Sequence, residues 1–215
     1  MPKSKRRRDD SSPVEGSSGG ADASIGAIDA AYADIDGYGI ARAEKRRQRD
    51  NGIFETGIQY GEISSSAFAT ALEWCSPKSG ETFIDLGSGT GKAVLTAAAH
   101  TAFASATGVE ILRPLHDAAL IALKNCPPLK SKDVHFVCAD ALDYSWTECD
   151  LIFVSLTCFA DEQVARIASG VDKLAKGARL LVTSRALESS GLRLLKRESL
   201  PYGKGRMTFL AYERI

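Results

Sequence analysis

The chain alternates short apolar runs with longer amphipathic segments from about Thr56 onward. Five runs predict buried strands, at residues 82–86, 106–109, 134–138, 150–155 and 180–183. The run at 150–155 is apolar after its first residue, as expected of a central parallel strand whose two faces are both covered. Apolar residues at helical spacing predict helices between these strands, near residues 64–74, 91–100, 115–125 and 161–174.

Two further strands are expected at the end of the chain. Residues 194–200 and 207–213 flank a Pro-Tyr-Gly-Lys-Gly segment, which predicts an antiparallel hairpin. Strands that alternate with helices form parallel sheets covered on both faces. The predicted fold is therefore α/β, a doubly wound, mostly parallel seven-stranded sheet of Rossmann-like type with a C-terminal antiparallel hairpin. The pattern leaves the order of the last two strands open.

The N-terminal quarter of the chain has a different composition. Residues 1–24 are rich in Ser, Gly, Asp and basic residues and have few apolar ones, so we expect a disordered basic tail. Residues 25–55 are expected to form a helical, partly basic linker or cap, with a helix near 40–50 that ends at Asn51-Gly52. Residues 56–215 are expected to form the main domain.

The formal net charge of the 215 residues is zero, but the basic residues cluster at 3–8 and at 42–49. Such clusters are typical of a nuclear-import signal or a phosphate-binding arm, and equally of a solvated tail. No apolar run approaches the length of a membrane span. Five cysteines without a CxxC pair indicate reduced, buried thiols of a nuclear or cytosolic protein. Three scattered histidines give no metal-site spacing.

The segment after the first predicted strand carries the main chemical signal. Its residues of interest are Asp85, Gly87, Ser88, Gly89 and Gly91. Glycines between a strand and a helix let backbone approach a nucleoside, although they also serve simply to shape a tight turn. The spacing Gly-x-Gly-x-Gly differs from the dinucleotide pattern, and no Lys-Ser/Thr pair follows as in a P-loop. Asp85 would repel a pyrophosphate and attract an ammonium group. We therefore predict S-adenosylmethionine as the ligand.

Two more strand ends supply acidic residues. Glu110 follows Gly91 by 19 positions, near the separation expected of an acid that binds ribose hydroxyls at the end of the next strand. Asp140 ends the third strand, where its side chain and the backbone amide of Ala141 would bind adenine. A solvated glutamate and an ordinary loop aspartate are the alternatives.

Methyl transfer from a sulfonium needs no metal, but it needs an acceptor lone pair aligned with the methyl carbon in a dry pocket. The acceptor should lie over the end of the fourth strand, at residues 155–159, where Ser155 and Phe159 would face it. An Asn/Asp-Pro-Pro-Tyr/Phe run, typical of methylation on base or glutamine amines, does not occur. Cys158 is expected to be a small buried apolar residue rather than a nucleophile.

An upstream segment, Tyr60-Gly61-Glu62, combines with these motifs into a more specific pattern. Together with residues 85–91, Glu110 and Asp140-Ala141, it resembles the disruptor-of-telomeric-silencing family of histone-lysine methyltransferases, over residues 56–185. The resemblance implies a Rossmann-type core rather than a SET domain, with Tyr60 and Glu62 closing over the methionine end of the cofactor. It also implies a nuclear protein that acts on histone or nucleosomes, with Tyr60, Ser155 and Phe159 beside the reacting groups.

The chain departs from the family pattern in two places. Ser155-Leu156-Thr157-Cys158-Phe159 replaces the family's Asn-Asn-Phe-x-Phe, and the segment before residue 56 is shorter than the family's N-terminal lobe. Nucleosome docking would then depend on DNA phosphate contacts from the two basic clusters. The alternatives are a methyltransferase for a small molecule or a non-histone protein, which would be cytoplasmic, and a cofactor-binding module without turnover.

Overall fold

A computed structural model describes residues 19–52, 60–202 and 205–215 of the chain. A seven-stranded sheet forms its centre, with the strands β1 (Thr82–Leu86), β2 (Ser105–Glu110), β3 (Val134–Cys138), β4 (Leu151–Ser155), β5 (Arg179–Thr183), β6 (Leu192–Tyr202) and β7 (Gly205–Arg214). The strand order is β3-β2-β1-β4-β5-β7-β6. The first five strands are parallel, whereas β7 is antiparallel to both β5 and β6. The predicted fold class is confirmed.

Among the described residues, three α-helices precede β1 and one follows each of β1, β2 and β4. They are α1 (Gly19–Ala30), α2 (Gly37–Asp50), α3 (Ser65–Glu73), α4 (Lys92–His100), α5 (Arg113–Asn125) and α6 (Asp161–Gly170), and short 3-10 helices span Leu156–Cys158 and Val171–Lys173. Ser64 caps α3, since its side chain accepts a hydrogen bond from the Ala67 amide. The predicted helix 161–174 ends earlier as an α-helix, because its last turn tightens to 3-10 geometry.

The N-terminal helices differ from the pattern-based expectation. Helix α1 begins at Gly19 and so overlaps the last six residues of the predicted tail, while residues 1–18 lie outside the described residues. Helix α2 begins at Gly37, before the predicted start near residue 40, because the Asp36 side chain caps it through the Gly39 amide. Ile28 of α1 is fully buried in the main core cluster, beside Phe68 and Leu72. The segment around α1 is therefore packed on the domain.

The described parts of the chain contain no helix that is long and apolar enough to cross a membrane. All five cysteines are free thiols. Cys75 is buried, but Cys138 is exposed, so the expectation of uniformly buried thiols is wrong. Cys138 is the last residue of β3, an edge strand, which has a neighbouring strand on one side only and is therefore less covered than the central strands.

Candidate cofactor and acceptor site

A cavity lies at the carboxyl ends of β1 and β4, the two central strands. After β1 the chain first builds β2 and β3 on one side and then β4 and β5 on the other. Ligands of doubly wound sheets bind at this reversal of strand order. The predicted residues that line the cavity are Tyr60, Glu62, Asp85, Gly87, Ser88, Gly89, Glu110, Asp140, Ala141, Ser155 and Phe159. The structure therefore brings together every predicted site residue except Gly91.

The glycine turn between β1 and α4 has the backbone that its sequence predicts. Gly89 has φ +55°, and a Cβ there would lie 2.8 Å from Cε2 of Tyr60. Gly91 has φ +81° at the start of α4, and a Cβ there would collide with the ring of Phe136. Gly91 is needed for this packing and lies outside the cavity lining, so its contact with the cofactor stays a prediction.

Glu110 connects two backbone segments at the rim of the cavity. Its Oε2 accepts a hydrogen bond from the Gly89 amide at 2.8 Å, and its Oε1 accepts one from the Leu112 amide at 2.8 Å. Burial raises the pKa of Glu110, and the backbone hydrogen bonds oppose that rise. A carboxylate has about four acceptor positions, so Glu110 can hold the turn and still accept a hydrogen bond from the ribose.

Asp85 is the most deeply buried acid of the site, with 2% of its surface exposed. Burial raises the pKa of Asp85 well above its usual range, and the nearby Glu110 carboxylate raises it further. Within the described part of the chain, neither Oδ1 of Asp85 nor Oγ of Ser88 has a hydrogen-bond partner. Buried polar atoms are seldom left unpaired. Both atoms therefore suit a polar ligand, and Asp85 suits a cationic one.

Asp140 and Ala141 form the wall where adenine is expected. Asp140 Oδ1 accepts a hydrogen bond from the Leu142 amide at 2.8 Å, which orients the carboxyl group at the end of β3. Ala141 is buried, with 7% of its surface exposed. The wall thus combines an oriented acceptor with a small apolar side chain, which is what an adenine ring requires.

Tyr60 connects the upstream Tyr-Gly-Glu segment to the glycine turn. Its hydroxyl donates to Oε1 of Glu62 at 2.9 Å and lies 3.0 Å from Oγ1 of Thr90. The edge of the Tyr60 ring meets Tyr38 of α2, with 5.3 Å between the centroids. Burial is the main cause that raises the pKa of Tyr60, so its hydroxyl stays neutral.

Residues at the end of β4 line the side of the cavity where the acceptor is predicted, which is called the acceptor side below. Ser155 Oγ hydrogen-bonds Thr183 Oγ1 at 2.9 Å, and Arg185 donates to the backbone carbonyl of Phe159 at 3.1 Å. Cys158 also lines this side. Burial raises the pKa of the Cys158 thiol to about 11, followed by the effects of Glu110 and Asp85. The thiol is therefore protonated at neutral pH, in keeping with a residue that is not a nucleophile.

Two functional candidates escaped the sequence analysis. Tyr202, the last residue of β6, lines the cavity, and burial raises the pKa of its hydroxyl. Gly61 leaves room for it, since a Cβ on Gly61 would collide with the Tyr202 hydroxyl. Lys92, the first residue of α4, lines the cavity as well. The only signal for Lys92 was its position directly after the glycine turn, and Tyr202 lay in a hairpin whose place in the sheet was open.

The described residues contain no group of three or more His, Cys, Asp or Glu side chains that could hold a metal ion. The cavity is lined by carboxylates, hydroxyls and backbone amides. Such an arrangement matches a ligand with several spaced hydrogen-bonding groups.

Comparison with known proteins also points to methylation chemistry. The sequence model of a family described as "Histone methylation protein DOT1" matches residues 43–201. None of the curated proteins matches.

Several solved structures with a similar fold are methyltransferases. An RNA methyltransferase from Salinibacter ruber, in complex with S-adenosyl-L-homocysteine, is 17% identical with a TM-score of 0.56, over 69% of this chain and 90% of that chain. Magnesium protoporphyrin IX methyltransferase from Synechocystis, with bound cofactor, is 14% identical with a TM-score of 0.57, over 89% and 97% of the two chains. At this identity the likeness establishes the fold.

Proposed function

Because the chain belongs to the DOT1 family of histone methylation proteins, we propose that it transfers a methyl group from S-adenosylmethionine to a histone lysine in chromatin. One observation carries the proposal. The family match spans both the Tyr60-Gly61-Glu62 segment and the glycine turn, and both segments line a single cavity. The glycine turn is common to many methyltransferases, whereas its pairing with Tyr-Gly-Glu is much more specific.

The lining residues fit the proposed cofactor along its length. Glu110 accepts hydrogen bonds from the ribose hydroxyls, and Asp140 with the Ala141 amide binds adenine. Asp85 attracts the ammonium group, since its unpartnered Oδ1 is buried in the cavity. Tyr60 and Glu62 cover the methionine end. When bound, the cofactor supplies a sulfonium methyl group as the electrophile.

The acceptor side suits an uncharged amine. Tyr60, Phe159 and Tyr202 line it with aromatic rings, and a surrounding of low polarity disfavours the ammonium form of lysine. Ser155 can donate to Thr183 and still accept a hydrogen bond from the lysine nitrogen. This hydrogen bond holds the substrate lysine so that the lone pair of its nitrogen faces the methyl carbon, as in-line transfer requires.

Helix α2 provides a surface for the substrate. Arg42, Lys45, Arg46 and Arg49 are all exposed, and the spacing i, i+3, i+4, i+7 puts them on one face of the helix. The opposite face carries the buried Ala41, which packs with Leu112 and Leu115 of the cavity wall. We infer that this basic face binds DNA phosphates beside the active site, which accords with a nuclear protein.

A second candidate function is methylation of a small molecule or a non-histone protein. The observation that favours it is Ser155, which stands where the family pattern has Asn beside the lysine channel. A hydroxyl donates one hydrogen bond, whereas the amide group of Asn donates two. A cofactor-binding module without turnover is the third alternative.

A labelling assay separates these functions. The protein is incubated with cofactor that carries a tritiated methyl group, in parallel with nucleosomes, free histones and a deproteinised metabolite extract. We expect label on a histone lysine, strongest with nucleosomes and lost as the salt concentration rises. Glu110→Ala serves as the cofactor-binding control.

Other outcomes have distinct meanings. Label confined to the metabolite extract contradicts the histone proposal and supports a small-molecule acceptor. Tight binding of S-adenosylhomocysteine without label in any fraction supports the non-catalytic module. Absence of cofactor binding contradicts all three functions.

A further inference from the structure

More acidic than basic side chains line the cavity. Four of its lining residues are acids, Glu62, Asp85, Glu110 and Asp140, whereas Lys92 is the one Lys or Arg among the described residues that line it. The acids account for the hydroxyl, amine and ammonium groups of the proposed cofactor. None of them suits the negatively charged carboxylate of its amino-acid part.

Neighbouring groups hold the Lys92 side chain in place, but the nearby acids do not take its hydrogen bonds. Its Nζ lies 4.6 Å from the centroid of the Tyr32 ring, and only 15% of the side chain is exposed. Glu62 Oε2 is 3.7 Å away and Asp29 Oδ1 is 3.9 Å away. Both distances exceed that of an N–H···O hydrogen bond, so these acids attract the ammonium without binding its protons directly. Asp29 Oδ1 already accepts the Ser65 hydroxyl at 2.7 Å.

The position of Lys92 adds a second favourable feature. It is the first residue of α4, where unpaired backbone amides and the helix dipole favour an anion. Asp85, which suits an ammonium group, lies in β1 on the other side of the same glycine turn. The cavity thus presents a buried acid and a partly buried cation to the two charged groups of one amino acid.

We propose that Lys92 binds the carboxylate of the amino-acid part of S-adenosylmethionine and makes the site selective for ligands that carry it. The inference rests on the proposed cofactor. Lys92 is a binding residue that acts through a charge-assisted hydrogen bond, which is among the stronger single interactions that a side chain makes. The competing explanation is that Lys92 merely balances the charges of Glu62 and Asp29.

Two ligands that differ only in the carboxylate test the proposal. S-adenosylmethionine and its decarboxylated form, which keeps the sulfonium and the amine, are titrated calorimetrically into the wild-type protein and into Lys92→Met. The exposed Lys78→Met is the matched control. We expect the wild-type protein and Lys78→Met to prefer S-adenosylmethionine by about 10-fold or more. Lys92→Met should lose this preference while its affinity for the decarboxylated ligand stays within a few-fold.

Each outcome tests either the role of Lys92 or the proposed cofactor. Equal wild-type affinity for both ligands overturns the role of Lys92, and that measurement requires no variant. An equal loss for both ligands in Lys92→Met supports the charge-balancing explanation instead. Lys92→Arg, which keeps the charge, should retain most of the preference. If the wild-type protein binds neither ligand, the proposed cofactor itself is wrong.

Discussion

Asp85 and Glu110 are both buried acids of the same site, but their surroundings differ. Glu110 is held by two backbone amides, whereas Oδ1 of Asp85 has no partner in the described part of the chain. Burial without hydrogen-bond partners destabilises the charged form of a carboxyl group. Asp85 therefore reduces the stability of the ligand-free protein in exchange for a strong interaction with a cationic ligand.

Replacement of Asp85 by Asn should stabilise the ligand-free protein at neutral pH by about 1–3 kcal/mol, because the uncharged amide removes the cost of ionising a buried carboxyl group. The melting temperature would rise by about 2–4 °C per kcal/mol for a chain of this length. The same change should weaken cofactor binding at least about 10-fold, because a charged partner of the ammonium is lost. Calorimetric melting and titration measure both effects, with the exposed Asp34→Asn as the control.

The stability gain should depend on pH in a defined direction. The pKa of Asp85 is raised in the folded state, so the folded wild-type protein retains a proton that the unfolded chain has released. Its stability therefore falls as the pH rises from the unfolded pKa of about 4 to the raised folded value. The advantage of Asp85→Asn should grow over this window and level off above it. An advantage that is constant with pH would contradict the burial of an ionisable carboxyl group as its cause.

Glu110→Ala should weaken the binding of S-adenosylhomocysteine by about 10- to 150-fold, the effect of losing a charged acceptor. The loss should be as large for methylthioadenosine, which shares the ribose but lacks the amino-acid part. Titration calorimetry measures both affinities, and the exposed Glu148→Ala is the control. Unchanged affinity for both ligands would rule out the assignment of Glu110.

At the scale of elements, α1 contributes to the core. Ile28 is fully buried, and the Tyr32 hydroxyl donates to the backbone carbonyl of Thr90 in the glycine turn at 2.9 Å. Ile28→Ala should therefore destabilise the protein by about 2–5 kcal/mol, as truncations in a packed core do. The exposed Ile121→Ala on α5 should change stability by less than about 0.5 kcal/mol. Equal, small effects in denaturant unfolding would show that α1 is dispensable.

Helix α2 predicts a measurable contribution to nucleosome binding. Neutralising Lys45 and Arg46 together, by replacement with Gln, should reduce the slope of log K against log salt by roughly 1–2, because each phosphate contact contributes about 0.9. Affinity for S-adenosylhomocysteine should stay unchanged. The matched control replaces Lys173 and Lys176, two exposed lysines that precede β5 at the opposite end of the sheet. Equal slopes for both double variants would contradict a docking role for α2.

The parts of the fold that follow one local rule were predictable from the sequence. The buried strand β4 is a continuous apolar run, and Ser64 is a standard helix cap, so neither needs knowledge of distant residues. The first six residues of α1 were missed because residues 19–24 read as polar and flexible, while the stability of the helix comes from Ile28 packing on α3 and α4. Such tertiary stabilisation leaves little trace in the local pattern.

At the scale of the whole molecule, the two sides of the cavity differ in how far the local sequence predicts them. The cofactor side comes from consecutive strand ends, whose positions follow from the alternating strand-helix pattern, so Asp85, Glu110 and Asp140 could be named in advance. The acceptor side depends on the hairpin β6–β7, which joins the sheet beyond β5 and carries Tyr202 to the cavity. The place at which a terminal hairpin joins the sheet depends on long-range packing, and the local sequence does not specify it.

The choice of ligand can be tested on the intact chain through its stability. A ligand that binds only the folded state stabilises it by about 2.7 kcal/mol at 100 times its Kd. S-adenosylhomocysteine should therefore raise the melting temperature by roughly 5–10 °C for a chain of this length. NAD at the same concentration should leave it unchanged, because Asp85 repels a pyrophosphate and the glycine spacing differs from the dinucleotide pattern. Differential scanning calorimetry measures both shifts, and stabilisation by NAD alone would mean that the cavity binds a dinucleotide.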